Sequence, residues 1–232
     1  VVGTVSGTSV SFGTPVVFES ASSRLFSPTF DSNSNKVVIA YRDDGNSQHG
    51  TAIVGTVSGT SISFGSPTVF ESAVVTDVTA TFDSNSNKVV IAYKDDGNSE
   101  YGTAIVGTVS GTSISFGSAV VFENSSTDDI SATFDSSNNK VVIAYANPGN
   151  STYGTAIVGT VSGTSISFGS AVVFESASSQ HISATFDSSA NKVVIGYQDQ
   201  GNSNHGTAIL GTVSGTSISF GSPTVFNAGG TE

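Results

Sequence analysis

The stretch from Ile182 to Phe226, ISATFDSSANKVVIGYQDQGNSNHGTAILGTVSGTSISFGSPTVF, decides the fold. It divides into ISATFD, KVVIGY, GTAILGTV and ISFGSPTVF, each of strand length and each set off by Asn, Asp, Ser or Gly. No apolar stripe of helical spacing competes, and the short connections predict antiparallel neighbours. The stretch therefore reads as a four-stranded meander. Its second strand, seen again as Val37-Val38-Ile39-Ala40-Tyr41, is apolar on both alternating faces, as a strand covered on both sides must be. The fourth alternates, Ser61-Ile62-Ser63-Phe64, and in three copies runs into a proline (Pro15, Pro67, Pro223), which an outer edge tolerates.

Working outward, the same pattern recurs every 52 residues, with Phe12, Phe64, Phe116, Phe168 and Phe220 at one place in each copy. A period of this size marks one supersecondary unit used repeatedly. The expected fold is all-β, a β-propeller of four-stranded antiparallel blades, in one repeat domain over 1–232. Full blades span 26–72, 78–124, 130–176 and 182–226, and residues 1–20 supply a half blade of third and fourth strands only. A solenoid of parallel rungs is the structural rival. Eighteen strands follow, and Asn227 to Glu232 reads as a glycine-bearing tail without a strand. Closure is then open between a thin fifth blade, a four-bladed ring with a spare hairpin, and a segment completed by another chain through strand pairing.

The stretch GTVSGTSISFGSP from Gly55 to Pro67 resembles the Asp-box hairpin of sialidase-type propellers, in which Ser-x-Asp-x-Gly-x-Thr-Trp turns from third to fourth strand and leads into a proline. Ser58 and Gly59 fall in that turn and Phe64 where the family carries Trp; the box Asp is absent from all five copies. The resemblance implies the propeller fold. Sialidase activity requires an arginine triad, and this chain has Arg24 and Arg42 alone.

Seven basic against eighteen acidic residues give a net charge of −11, which repels phosphate backbones and anionic membranes, so neither nucleic acid nor membrane insertion is expected. No apolar run reaches the roughly 20 residues that span a bilayer. The absence of Cys excludes disulfides and thiolate metal sites and leaves the redox compartment open. With no Met and a start at Val1, the chain reads as processed or excised from something longer.

The copies differ unevenly. The SGTS turn is identical in all five, and the turn before Lys36, Lys88, Lys140 and Lys192 nearly so. The link into the next first strand instead reads Arg24-Leu25-Phe26, Thr76-Asp77-Val78, Asp128-Asp129-Ile130 and Gln180-His181-Ile182, and the second-to-third loop varies as well. In a meander these two variable segments share one end of the unit. Drift of exposed tips is the competing account, but the exposed turns at the other end did not drift.

Asp31, Asp83, Asp135 and Asp187 open a D-x-[NS]-x-N pattern, read as Asx-turn hydrogen bonding in preference to calcium ligation because each copy offers a single carboxylate. Tyr41, Tyr93, Tyr145 and Tyr197 read as packing residues at the end of the buried strand. No G-x-S-x-G context singles out a nucleophile near His49, His181 or His205. Asp43-Asp44 and Asp95-Asp96 keep a paired-carboxylate hydrolase as a minor reading.

The leading expectation is a non-catalytic recognition or adhesion module, lectin-like, without cofactor or metal, binding a glycan or cell-surface ligand outside the cell or on a surface. Its candidate ligand-binding residues are Arg24, His49, Asp77, Tyr101, Asp129, Tyr153, His181 and His205, since aromatic or imidazole rings beside carboxylates and amides suit a sugar's apolar face and hydroxyls. The alternative is a structural repeat of an extracellular fibre, virion or surface assembly that self-associates through the half blade.

Overall fold

The computed structural model describes residues 1–230. Each unit is an antiparallel meander. In the third, the strands are Asp128–Asp135, Lys140–Asn147 and Tyr153–Ser162, followed by a fourth in two pieces, Ser165–Phe168 and a continuation that starts at Val172. Both pieces pair with the third strand, Gly159 opposite Phe168 and Ala156 opposite Val172. The break at Gly169-Ser170-Ala171 explains why more strands form than the pattern of uninterrupted strands predicts.

The fourth strand does not end where the unit ends. Thr68–Asp83 pairs with its own third strand through Val74 and with the next second strand from Val75 onward, and Val172–Asp187 does the same. Two units thus merge into each nine-stranded sheet, and a separate hairpin pairs Gly3–Ser6 with Ser9–Phe12. No strand pairing joins the first unit to the last among the described residues. One expectation is corrected: Asn227 to Gly230 belongs to a strand, Thr224–Gly230, with Gly230 opposite His205. The ladder there is supplied by the partner strand, whatever the glycines' own preference. Thr231 and Glu232 lie outside the described residues.

The core sits between units. Alternation sends Val38, Ala40, Ala52, Val54 and Phe70 to the forward side of unit one, where they bury against Val89, Ile91, Tyr93, Ile105 and Ile114 on the backward side of unit two. The same two sides meet between units two and three and between three and four. Full burial of each Val, Ile or Phe among them contributes about 1.5–3 kcal/mol, and this double coverage is why the second strand is apolar on both faces. Aromatic pairs repeat across the joints: Phe18 with Phe64, Phe70 with Phe116, Phe122 with Phe168 and Phe174 with Phe220, at centroid distances of 5.6, 5.8, 5.7 and 5.6 Å.

Backbone approach at the joints is tight. A Cβ on Gly117 would overlap the carbonyl of Thr164 in the next unit, and Gly13, Gly65 and Gly169 meet Thr60, Thr112 and Thr216 in the same way. Successive first strands are also tied. The backbone N–H groups of Ala80, Ala132 and Ala184 donate to the hydroxyls of Ser27, Thr79 and Ser131 in the preceding unit, at 2.8, 3.2 and 2.9 Å. The equivalent residue of unit one is Pro28, which has no N–H to satisfy.

Candidate functional site

The ladder fixes which loops share an end. Asp31 pairs with Lys36 and Ser58 with Ser61 at one end, whereas Asp43 pairs with His49 at the other, beside the link into the next unit. The uniform end is built on Asx turns. Asp135 Oδ1 accepts from the backbone N–H of Ser137 and Asn138 at 2.9 and 3.0 Å, and Asp31, Asp83 and Asp187 repeat this pair of bonds.

At the variable end the second-to-third loop and the link are stitched together. The N–H groups of Val75, Thr127 and Ser179 donate to the carbonyls of Gln48, Glu100 and Thr152, at 3.2, 3.2 and 3.0 Å. Both segments hold non-glycine residues in the left-handed region: Leu25, Asp77, Asp129 and His181 (φ 56, 51, 52 and 52°) in the link, and Gln48, Glu100, Thr152 and Asn204 (φ 64, 63, 60 and 59°) in the loop. Each is a sparsely populated conformation that persists only where surroundings enforce it. The backbone is therefore repeated with little change while the side chain upon it changes.

Of the candidate residues, Asp77, Asp129 and His181 form one row. The backbone N–H of Asp129 favours the charged form of the Asp77 carboxylate, and that of His181 does the same for Asp129. Burial first, then the charges of Asp128 and Asp129, push Asp77 up to about 6, so this carboxyl is ionised at neutral pH and takes up its proton in mildly acidic solution. Burial also raises Asp129, against the opposing effect of His181. Arg24 is not in this row, where Leu25 holds the equivalent place. Its Nε instead lies 2.9 Å from Asp44, which Arg42 also contacts at 2.8 Å. Burial opposes ionisation of Asp44, but the two guanidinium groups hold its carboxyl below the usual range. Lys94 bridges Asp128 at 2.9 Å and Glu100 at 3.2 Å, tying the two segments across a joint.

His49, Tyr101, Tyr153 and His205 form a second row, one per unit, each half-buried at the start of a third strand. The floor beneath is polar and buried. The phenols of Tyr41, Tyr93, Tyr145 and Tyr197 donate to Glu19, Glu71, Glu123 and Glu175 at 3.3, 3.1, 3.0 and 3.0 Å, and burial followed by these carboxylates raises all four phenols. In unit three Asn147 Nδ2 also donates to Glu123, at 2.9 Å. Unit two has Asp95 there; burial and then Glu71 raise its carboxyl, against the backbone N–H groups of Gly97 and Asn98, which lower it.

Sequence reading missed a cavity of about 240 Å³ on the forward side of unit four, lined by His181, Ser183, Tyr197, Gln198 and Phe226 with Gly196 and Gly206. The available signal was Gly196, where the other units carry Ala40, Ala92 and Ala144. Among the described residues no group of three or more His, Asp or Glu side chains is placed to hold a metal ion. No protein-family model matches the sequence, and comparison with curated proteins finds no match.

Proposed function

We propose that the protein is a non-catalytic recognition module whose variable end binds a polyhydroxylated, carbohydrate-class ligand, and that its units are blades of a β-propeller. Four-stranded units, forward-to-backward packing and first strands tied in succession support the architecture, as does the hairpin likeness to sialidase-type propellers. One observation carries the functional reading: at one end alone, equivalent left-handed backbone positions change side chain between units, Leu25, Asp77, Asp129 and His181 in the link and Gln48, Glu100, Thr152 and Asn204 in the loop, while the Ser beside the latter stays constant. Holding strain at four places per repeat, three of them at this end, costs stability, and rigid display of chosen groups is the kind of gain that offsets it. Carboxylates, an imidazole and half-buried phenol rings supply the acceptors, donors and stacking faces a sugar needs. Repetition lets weak single-site affinities multiply through valency, which fits a role at a surface outside the cell.

A glycan array tests this. Binding by the native chain and its loss in Tyr101→Ala/Tyr153→Ala, with an unchanged unfolding midpoint, is the expected result. Silence of the native chain across a broad array refutes the reading.

A further inference from the structure

Every internal joint mates a forward side with a backward side, yet one of each is left uncovered. On unit four, Leu210 is 50% exposed where its counterparts Val54, Val106 and Val158 are 0% exposed. Phe226 is 67% exposed, against 7–8% for Phe70, Phe122 and Phe174. The N-terminal hairpin Gly3–Ser6/Ser9–Phe12 presents the opposite surface. Val5, Val10 and Phe12 are all exposed, whereas Ile114, the counterpart of Val10, is buried and Val109 and Phe116, the counterparts of Val5 and Phe12, pack against the core of their joint. The four Phe–Phe contacts across joints leave two rings over, Phe12 and Phe226, and each belongs to the half of the pair the other lacks. Glycine contacts tell the same story. Gly13, Gly65, Gly117 and Gly169 each abut a Thr carbonyl of the following SGTS turn, but Gly221 meets only the Leu210 carbonyl of its own unit, at 3.9 Å. The one SGTS threonine left without a glycine against it is Thr8.

We propose that the forward side of unit four is an interface for a second copy of this chain, which seats its N-terminal hairpin there with Phe12 against Phe226 and Thr8 against Gly221. The hairpin carries counterparts of Val109, Ile114 and Phe116, which the chain seats at its own joint, though not of Val89, Ile91 and Tyr93, so it supplies the outer part of that mating surface. Val5, Val10, Phe12, Leu210 and Phe226 carry no charge, so the net charge of −11 does not sit in the contact. Within one chain these two surfaces stay apart, both rings being exposed. The interface is heterologous, so successive copies add head to tail.

Sedimentation velocity over a concentration series reaching about 100 µM tests it. The native chain is expected to form oligomers that grow with concentration. Phe12→Ser and Phe226→Ser each remove one end, and each alone should weaken assembly about thirtyfold. Mixed, they retain one good forward side and one good hairpin between them, so they should form a dimer and nothing larger. Both residues are solvent-exposed, and circular dichroism should confirm that neither change disturbs the fold. A native chain that stays monomeric throughout overturns the proposal, as does a mixture without dimer. So does a monomer whose own hairpin is found, by hydrogen exchange, to protect Leu210 and Phe226.

Discussion

Gly117 and Gly221 occupy the same place in units two and four, after Ser-Ile-Ser-Phe in both, and differ in whether a threonine carbonyl of another unit lies against them. An alanine Cβ at 117 would overlap the Thr164 carbonyl oxygen and stand 2.9 Å from its carbon and 3.0 Å from the Thr164 Cβ. Ordinary carbon–oxygen approach begins near about 3.3 Å. Backbone faces backbone here, so no side chain can swing aside, and the joint must open by on the order of 1 Å. The cost falls at the upper end of overpacking penalties, about 3 kcal/mol. At 221 the nearest atom is 3.9 Å away and φ is not left-handed, so the same substitution should stay within about 0.5 kcal/mol. Urea unfolding at low micromolar protein, followed by circular dichroism, reads both. With a urea slope of about 3 kcal/mol/M, Gly117→Ala should lower the midpoint by about 1 M and Gly221→Ala should leave it in place. Equal midpoints for the two variants would refute the claim that direct contact between units holds the array together.

Asp77→Asn should stabilise the protein at pH 7.5 and not at pH 3.5. The folded-state value of about 6 against an ordinary 3.8 means that ionisation opposes folding: the penalty is absent below the ordinary value and grows until pH passes about 6. Two units would be near 3 kcal/mol, which partial exposure reduces to about 1–2 kcal/mol, and Asn tolerates the left-handed backbone. Asp95→Asn copies the Asn147 to Glu123 bond of unit three into unit two and should add about 1 kcal/mol at neutral pH, a gain that disappears once acid protonates the native carboxyl. Asp135→Ala removes the acceptor of two backbone N–H groups and of the Ser137 and Asn138 side chains, for a loss of about 1–2 kcal/mol in denaturant unfolding. Adding calcium or a chelator to the native chain should leave Tm where it was, as Asx turns require no ion.

Strand order, the doubly buried second strand and the Asp turns were legible because each rests on local chemistry: alternation, β-branched runs and Asx hydrogen bonding. The continuation of the fourth strand into the next unit was not, since Ala73 and Val74 carry no mark that separates a link from a strand bending between two partners. Asn227 to Gly230 was misread for a related reason, its pairing being set by His205 and Gly206 and not by its own composition. At the variable end, sequence found both segments and their equivalent positions, but not that Leu25, Asp77, Asp129 and His181 share a left-handed backbone, while Arg24 lies beside that row and pairs with Asp44. The cavity beside Phe226 left one mark in the sequence, Gly196 in place of the Ala of the other units, which by itself does not say that space opens there.

Pro28 bears on how such a chain avoids uncontrolled growth. Sheet edges ordinarily recruit foreign strands through bare amide protons, the route to cross-β fibrils. In unit one the amide that elsewhere points outward to the preceding unit is replaced by a ring nitrogen without hydrogen. An approaching peptide finds no donor at that point of the ladder, so aggregation along the backbone is discouraged while contact through side-chain faces stays open.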